Sequence, residues 1–459
     1  MRYFARLSLP AVFSLLTLAA TGQSAPDKKP VPQPGSDQYV TPSGAGNKSG
    51  RDWANARPAA ELQAALDAAG PGNSVRVGSG TYENVSLQFN TGGSGANAMK
   101  ALIGVDTGGG LPVSKSNFDN HKPSKTGVTF VAVAANVSYV LIRDFVLQNH
   151  SSAVKLRGRH LGVRIENVDV TNTRDAFWIE GGATPEEPYA GTRDLVIRNC
   201  DVKNFTKRAM RFLNGNANVQ VINCHADEGG KEYSTEVFPI GYHILGGEGG
   251  VIDRDITFTD CSAANSWNDA GKKYWNGDGW AAEGASSDIT WTRCVAWGNT
   301  DGGWDIKSLR PKLVDCISIG NKRNYRIWPR EEPAVLENCL AAYSREPKGG
   351  NPSTGFWIKG GAKLHLTRCT VWGDGASIVV EDGTKDKPTT LKLDRCLIVP
   401  LETGAALRLS AGVDVQNTGS IVRQDKNDPA VTLRQPSKQW RGGDDSFDST
   451  SHPDLGYRY

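Results

Sequence analysis

Polar and charged side chains concentrate in three successive segments of the chain, residues 275–283, 298–307 and 321–328, and the first two contain Asp278, Asp301 and Asp305. Carboxylates that converge repel one another unless a cation joins them, and calcium takes several oxygen ligands. The spacing therefore predicts a Ca²⁺ site formed by these three aspartates. Turn preference explains the Asp-Gly pairs at 278 and 301 equally well. Asp305 differs, because it lies inside a predicted strand, where aspartate is disfavoured.

Basic side chains in and after these segments are candidates for proton transfer. Arg326 can act as a base only in its neutral form, which arginine rarely adopts. Lys307, Lys359 or His243 could replace it in that role. Arg326 could equally hold a substrate carboxylate through its planar guanidinium group, or form an ordinary surface ion pair. For His243 a structural role in a ladder of stacked residues is the alternative to catalysis.

A repeat along the chain predicts the elements that position these residues. Eight cysteines recur at intervals of 22 to 37 residues, each in a similar local sequence: Cys200, Cys224, Cys261, Cys294, Cys316, Cys339, Cys369 and Cys396. A period of roughly 20–50 residues indicates a repeat architecture in which each unit buries its apolar face against its neighbours. Equivalent cysteines then stack on one another, so we expect an internal ladder of free thiols rather than a disulfide framework.

A second motif follows each cysteine segment and has the alternating pattern of a strand, as in Gly-Trp304-Asp-Ile. Its first and third residues should point inward and its second outward. Stacking the repeats predicts an outward column of Lys155, Trp178, Arg211, His243, Ala281, Asp305, Arg326 and Trp357, with Glu180, Glu283, Lys307, Trp328 and Lys359 alongside. In this column we expect substrate contacts from Arg211, His243, Glu283, Trp178 and Trp357. The two tryptophans suit stacking on sugars, unless loops cover them.

Parallel strands stacked coil on coil, with Asn, Gly and Asp at the bends, predict an all-β fold, a single-stranded right-handed parallel β-helix. Residues 58–70 form an amphipathic pattern that predicts a short N-terminal capping helix. The predicted organisation is a signal peptide at 1–22, a flexible leader at 23–37, the β-helix with its cap at 38–435 and a C-terminal tail or cap at 436–459.

Composition excludes several classes of function. The formal net charge is +3 over 459 residues, without a long basic run, which disfavours nucleic-acid binding. Apart from the signal peptide, no segment is apolar enough to span a bilayer. We therefore expect a secreted monomer, either extracellular or periplasmic.

The residues around the three aspartates carry a resemblance. The segments Asn276-Gly-Asp278-Gly-Trp280 and Asn299-Thr-Asp301-Gly302-Gly-Trp304-Asp305 resemble the signature of the pectate lyases of polysaccharide lyase family nine. The resemblance implies that Asp278, Asp301 and Asp305 bind calcium. Two positions depart from the family pattern: Gly302 stands where the family has a second aspartate, and Arg326 stands where it has the catalytic lysine. Glu283 could supply the missing ligand, and Lys359 the missing lysine.

The function implied is calcium-assisted β-elimination in an acidic, uronate-containing polysaccharide such as pectate. In this reaction a base removes the proton α to the carboxylate and cations stabilise the developing charge. Three alternatives stay open. A glycoside hydrolase would use paired carboxylates from among Asp278, Glu283, Asp301 and Asp305. A uronate epimerase would use the same proton abstraction, and a non-catalytic glycan-binding surface protein would need only the fold.

Overall fold

The computed structural model describes residues 36–231, 238–268, 276–329, 331–345, 353–373, 376–381, 387–400, 406–410 and 413–423. The predicted signal peptide, nearly all of the leader and the C-terminal tail lie outside the described residues, so those boundaries stay predictions. In the described part of the chain, none of the helices has both the length and the hydropathy needed to cross a membrane.

Short strands account for most of the described chain, and every pairing between named strands is parallel. In chain order the strands are β1 Gln38–Thr41, β2 Arg57–Pro58, β3 Ser74–Gly78, β4 Thr81–Glu83, β5 Leu87–Phe89, β6 Lys100–Val105, β7 Val113–Lys115, β8 Thr129–Val133, β9 Val140–Gln148, β10 Ser152–Arg157, β11 Arg164–Glu180, β12 Arg193–Arg198, β13 Asp201–Leu213, β14 Ala217–Ile222, β15 His225–Asp227, β16 Ile240–Ile244, β17 Asp253–Thr259, β18 Ser262–Ala264, β19 Asp278–Ala282, β20 Ser286–Thr292, β21 Val295–Trp297, β22 Gly302–Ile306, β23 Lys312–Val314, β24 Ile317–Ile319, β25 Arg323–Ile327, β26 Ala334–Glu337, β27 Leu340–Ala342, β28 Thr354–Lys359, β29 Lys363–Thr367, β30 Thr370–Trp372, β31 Ala376–Glu381, β32 Thr389–Asp394, β33 Leu397–Val399, β34 Leu407–Leu409, β35 Val413–Thr418 and β36 Ile421–Val422.

Successive coils stack strand on strand, as in the series β16, β19, β22, β25 and β28. Two further series run beside it, one through β17, β20 and β23 and one through β18, β21 and β24. The fold is the predicted right-handed parallel β-helix. It has three strands in each coil, whereas the sequence pattern predicted two.

The third strand arises from a bend directly before each cysteine. The residue at that bend has a left-handed backbone conformation, with φ between 49° and 55° in all eight repeats. Asparagine and aspartate tolerate this conformation, and they occupy five of the eight bends. Arg293, Arg368 and Arg395 occupy the other three. The bend divides what reads as one strand into two strands on different sheets.

Inside the coils, the side chains of equivalent positions form ladders. All eight cysteines are buried and free, which confirms the expected thiol ladder. Their Sγ atoms lie near backbone carbonyl oxygens; the Sγ of Cys316, for example, is 3.4 Å from the carbonyl oxygen of Val314. Within the described part of the chain, no disulfide joins these coils.

A second internal ladder consists of aromatic rings, and it lies directly beneath the acidic segments. The rings of Tyr242, Trp280, Trp304, Tyr325 and Phe356 stack with centroids 4.0 to 5.7 Å apart and interplanar angles of 5° to 16°. Stacked rings at this separation contribute more than their buried area alone. Each ring belongs to a strand whose next residue points outward, so the ladder fixes the register of the outward side chains.

The N-terminal end of the coils is covered by a short helical segment, as predicted. A 3-10 turn at Ala59–Glu61 leads into the helix α1, Leu62–Ala68. Leu62, Ala65 and Leu66 are buried, with the spacing of one helical face. The helix contacts β1, β3 and β5, and it thereby covers the open apolar end of the coil stack.

We predict that removing the central ring of the aromatic ladder destabilises the protein strongly. Trp304→Ala leaves a cavity between two stacked rings, and we expect it to lower the free energy of unfolding by about 3 to 5 kcal/mol. Trp304→Phe keeps a ring in the ladder and should cost less. Denaturant unfolding followed by circular dichroism measures both variants, and equal stability of Trp304→Ala and the wild type would contradict the prediction.

Candidate functional site

Strand register places the predicted outward residues in one continuous line, which we call the outer column. From β10 to β28 its members are Lys155, Trp178, Arg211, His243, Ala281, Asp305, Arg326 and Trp357. Neighbouring members are one strand spacing apart, about 4.8 Å. The predicted alignment of these eight residues is therefore confirmed.

The three aspartates lie close together near the centre of this column. The oxygens of Asp301 and Asp305 contact cationic side chains. Asp301 accepts hydrogen bonds from Arg323 at 2.7 Å and from Arg326 at 2.9 Å. Asp305 lies 3.2 Å from both Arg326 and Lys307. These aspartates are 1% and 4% exposed, so protein groups rather than solvent balance their charges.

Asp278, at the start of β19, is buried as well. Its Oδ1 accepts a hydrogen bond of 2.6 Å from the backbone N–H of Gly302. A Cβ atom at residue 302 would stand only 2.8 Å from that same oxygen. A side chain at residue 302 would therefore displace the carboxylate of Asp278, and only glycine leaves room for it.

This arrangement does not fit a bound calcium ion. All four carboxylate oxygens of Asp301 and Asp305 contact an arginine, lysine or tryptophan side chain. One carboxylate oxygen of Asp278 accepts a hydrogen bond from a backbone N–H. Within the described residues, no group of three or more His, Cys, Asp or Glu side chains is placed to hold a metal ion. Glu283, which could have supplied a further ligand, contacts Lys307 at 2.9 Å instead. Calcium binding stays a prediction from the sequence that this geometry does not support.

Positive and negative groups alternate along the column and form what we call the charge chain. In spatial order its members are Arg208, His243, Glu283, Lys307, Asp305, Arg326, Asp301 and Arg323. Each charged member from Glu283 to Arg323 lies within 3.2 Å of its neighbour. Pairing on both sides is what makes so many partly buried charges tolerable.

The hydrogen bond from Arg208 determines the protonation state of His243. The Nε of Arg208 donates to Nδ1 of His243 at 2.7 Å, so Nδ1 carries no proton. Burial also lowers the pKa of His243, to about 4, and the charge of Arg208 acts in the same direction. His243 is therefore a neutral imidazole whose Nε2–H points toward Glu283, 3.6 Å away.

Glu283 and Lys307 lie in the middle of the charge chain and are partly exposed to solvent. Burial alone would raise the pKa of Glu283, but its contacts with His243 and Lys307 lower it to about 2. Burial would lower the pKa of Lys307, and the charges of Asp305 and Glu283 raise it instead. Both side chains are therefore ionised at neutral pH, and both border Ala281, the smallest residue of the outer column.

The two tryptophans of the column pack against cations. The ring centroid of Trp357 is 4.5 Å from Arg323, 5.3 Å from Arg326 and 5.5 Å from Lys359. Lys155 and Arg211, its neighbours in the column, lie 5.1 Å and 4.8 Å from the ring of Trp178. The indole of Trp178 therefore separates two cations, and its faces are used for these contacts.

Two members of the charge chain, Arg208 and Arg323, were missed in the sequence. Each lies two residues before an inward-pointing side chain, Met210 for Arg208 and Tyr325 for Arg323. Asp278 has the same offset from Trp280. A search of every repeat at this offset would have found both arginines.

We predict that Asp278 makes stability fall as the pH rises. Burial and the nearby charges of Asp301 and Asp305 raise its pKa from 3.8 to about 8. The folded state therefore holds a proton that the unfolded state releases, and the stability this proton contributes is full below about pH 4 and lost toward about pH 8. We expect the thermal midpoint of the wild type to fall more over this range than that of Asp278→Asn.

Asp260→Asn is the matched control for this measurement. Its hydrogen bond to Arg293 lowers the pKa of Asp260, so this exposed carboxylate stays ionised over the same range. Thermal unfolding followed by circular dichroism at several pH values compares the three proteins. Parallel pH curves for Asp278→Asn and the wild type would show that Asp278 titrates normally.

No protein-family model matches the chain, and no curated protein matches it in sequence. Solved structures are similar in fold. The pectate lyase Pel9A is 15% identical, with a TM-score of 0.48, and the alignment covers 94% of this chain and 98% of that one. The catalytic domain of a GH87 α-1,3-glucanase in complex with nigerose is 11% identical, with a TM-score of 0.51, covering 88% and 70%. XylC in complex with xylose is 7% identical, with a TM-score of 0.50, covering 86% and 87%. The likeness to the last two structures, with TM-scores of 0.51 and 0.50, supports the parallel β-helix fold and, at these identities, the fold alone.

Proposed function

We propose that this protein is a secreted polysaccharide lyase that acts on an acidic, uronate-containing glycan such as pectate. The observation that carries the proposal is the charge chain along the outer column, in which His243 and Asp305 flank the small residue Ala281. Elimination at a uronate needs a cation at the sugar carboxylate and a group that accepts the proton α to it.

The cations of the charge chain can neutralise the sugar carboxylate. Arg326 and Lys307 both contact Asp305, and Arg323 contacts Asp301 beside them. A guanidinium group binds a carboxylate through two parallel hydrogen bonds, which orients the sugar as well as stabilising the enolate-like charge. In this proposal protein cations do what the family resemblance assigns to calcium.

Proton removal needs a group other than these paired cations. Carboxylates contact Arg326 and Lys307 closely, and this favours the protonated form of both. We propose Lys359, the third catalytic residue expected from the sequence, as the proton acceptor because of its position in the column. Its ammonium lies 5.5 Å from the ring of Trp357, at the end of the column next to Arg326.

The similar structures support a glycan substrate more than a particular reaction. The α-1,3-glucanase was solved with nigerose and XylC with xylose, so the fold is used for carbohydrate recognition in both. A location outside the cytoplasm rests on the predicted signal peptide at 1–22.

A glycoside hydrolase is the second candidate. Glu283 and Asp305 both contact the ammonium of Lys307, at 2.9 Å and 3.2 Å, so these two carboxylates are near enough for a hydrolytic pair. Hydrolysis also needs a protonated acid, however, and the pKa of Glu283 is lowered to about 2. Glu283 is therefore not that acid, and Asp278, whose pKa is raised to about 8, is only 2% exposed and thus poorly placed to protonate a substrate, which favours the lyase.

We predict that the protein releases unsaturated uronate from pectate, alginate or glucuronan. The product is detected by its ultraviolet absorbance, with a reducing-sugar assay in parallel. Lys359→Ala should reduce kcat by about 10²-fold or more, the usual effect of removing a general base. Lys363→Ala, at a partly exposed lysine of β29, is the control. Reducing sugar without an absorbance rise would identify a hydrolase, and glycan binding without either signal would identify a non-catalytic binder.

We also predict that elimination continues when calcium is chelated. Arg326, Arg323 and Lys307 already balance the aspartate charges, so EDTA should change the rate less than twofold, whereas Arg326→Gln should lower kcat strongly. A rate that is lost in EDTA and restored by calcium would show that the arginines leave Asp301 when calcium binds. That result would support the ligand set expected from the sequence.

A further inference from the structure

A second group of cations lies at the other end of the outer column and differs from the charge chain in one respect. Within the part of the chain that the structure describes, neither Lys155 nor Arg211 forms an ion pair with a carboxylate, and the Nε of Arg211 has no hydrogen-bond partner. In the charge chain, by contrast, Arg326 and Lys307 each have carboxylate partners. The two ends of the column are therefore electrostatically different.

The surroundings of Lys155 and Arg211 are predominantly positive. Arg174 lies in the coil of Trp178, and Lys207 and Arg208 lie in the coil of Arg211. Asp175 faces Lys155, Lys207 and Arg208, and Asp278 also acts on Arg208. One oxygen of Asp175 is 2.7 Å from Arg174, and its other oxygen, Oδ1, has no hydrogen-bond partner among the described residues, so one carboxylate faces several cations. Cations that are partly desolvated and lack a counterion are costly, and a bound anion removes that cost.

Trp178 holds the two cations apart at a fixed separation. Its ring contacts Lys155 at 5.1 Å and Arg211 at 4.8 Å, and these two residues are two strand spacings apart along the column, about 10 Å. A rigid pair of cations at this spacing suits carboxylates repeated along a polymer better than a single small anion.

We propose that Lys155, Trp178 and Arg211 form a second binding site for the carboxylate groups of an acidic polysaccharide. The inference rests on the proposed function, because it assumes that the glycan lies along the outer column. Arg211 is four strand spacings from Arg326, about 19 Å. A disaccharide cannot contact both sites, so the protein should bind long acidic chains more tightly than short ones.

Calorimetric titration with uronate oligosaccharides tests this site in the full-length protein. The probes are a uronate disaccharide, a uronate hexasaccharide and the carboxyl-reduced, neutral form of that hexasaccharide. We expect the wild type to prefer the acidic hexasaccharide. The double variant Lys155→Gln/Arg211→Gln should weaken hexasaccharide binding at least tenfold and change disaccharide binding less than twofold.

Two further variants guard against a folding defect. Arg164→Gln removes one charge from an exposed position at the start of β11, the strand that contains Trp178, and this variant should bind the hexasaccharide like the wild type. Arg211→Lys keeps the cation and should retain most of the affinity. Circular dichroism checks that all variants are folded.

Each result bears on the inference separately from the lyase assignment. Unchanged hexasaccharide affinity in the double variant overturns the second site, even if unsaturated product is formed. If the neutral hexasaccharide binds as tightly as the acidic one, or a sulfated hexasaccharide binds more tightly, carboxylate groups are not the ligand of the second site. Selective loss of hexasaccharide binding without any unsaturated product supports the second site and refutes the lyase.

Discussion

The short distance between stacked coils is the constraint on which the rest of this structure depends. Equivalent positions are about 4.8 Å apart, so a charged side chain on one coil always meets the side chain on the next. Like charges at that distance repel strongly in a partly buried environment, and opposite charges stabilise each other. The alternation from Glu283 to Arg323 is the arrangement that satisfies this constraint over several coils. The same spacing allows the aromatic and thiol ladders in the interior.

The constraint also explains why the aspartates are not open ligands. Asp301 lies three residues before and Asp305 one residue after Trp304, which points toward the aromatic ladder, and both aspartates are buried from solvent. Arg323 and Arg326 come from the next coil and contact the two oxygens of Asp301, one each. A metal ion would have to compete with two guanidinium groups already in place. The acidic segment thus has a balanced charge, whereas the end of the column near Trp178 keeps an excess of positive charge.

Much of the fold could be predicted from the sequence, because a solenoid repeats one local pattern. The cysteine at each coil, the alternating motif after it and the capping helix all rest on local spacing, and each prediction is confirmed. The number of strands per coil was wrong by one. The bend before each cysteine reads as a continuous strand, particularly where Arg293, Arg368 or Arg395 adopts the left-handed conformation usually left to asparagine or glycine.

For the candidate site, the sequence by itself determined which residues share the outer column, since strand alternation and repeat register are sequence properties. It did not determine how those side chains pair. Only the tertiary structure brought Arg208 to Nδ1 of His243 and placed Arg323 and Arg326 on Asp301, residues 22 to 35 positions apart in the chain. Long charged side chains have several rotamers, and their partners lie on other coils, so local patterns cannot select among them. The sequence determines the order of the charged residues along the column, and the packing of the coils determines which of them form ion pairs.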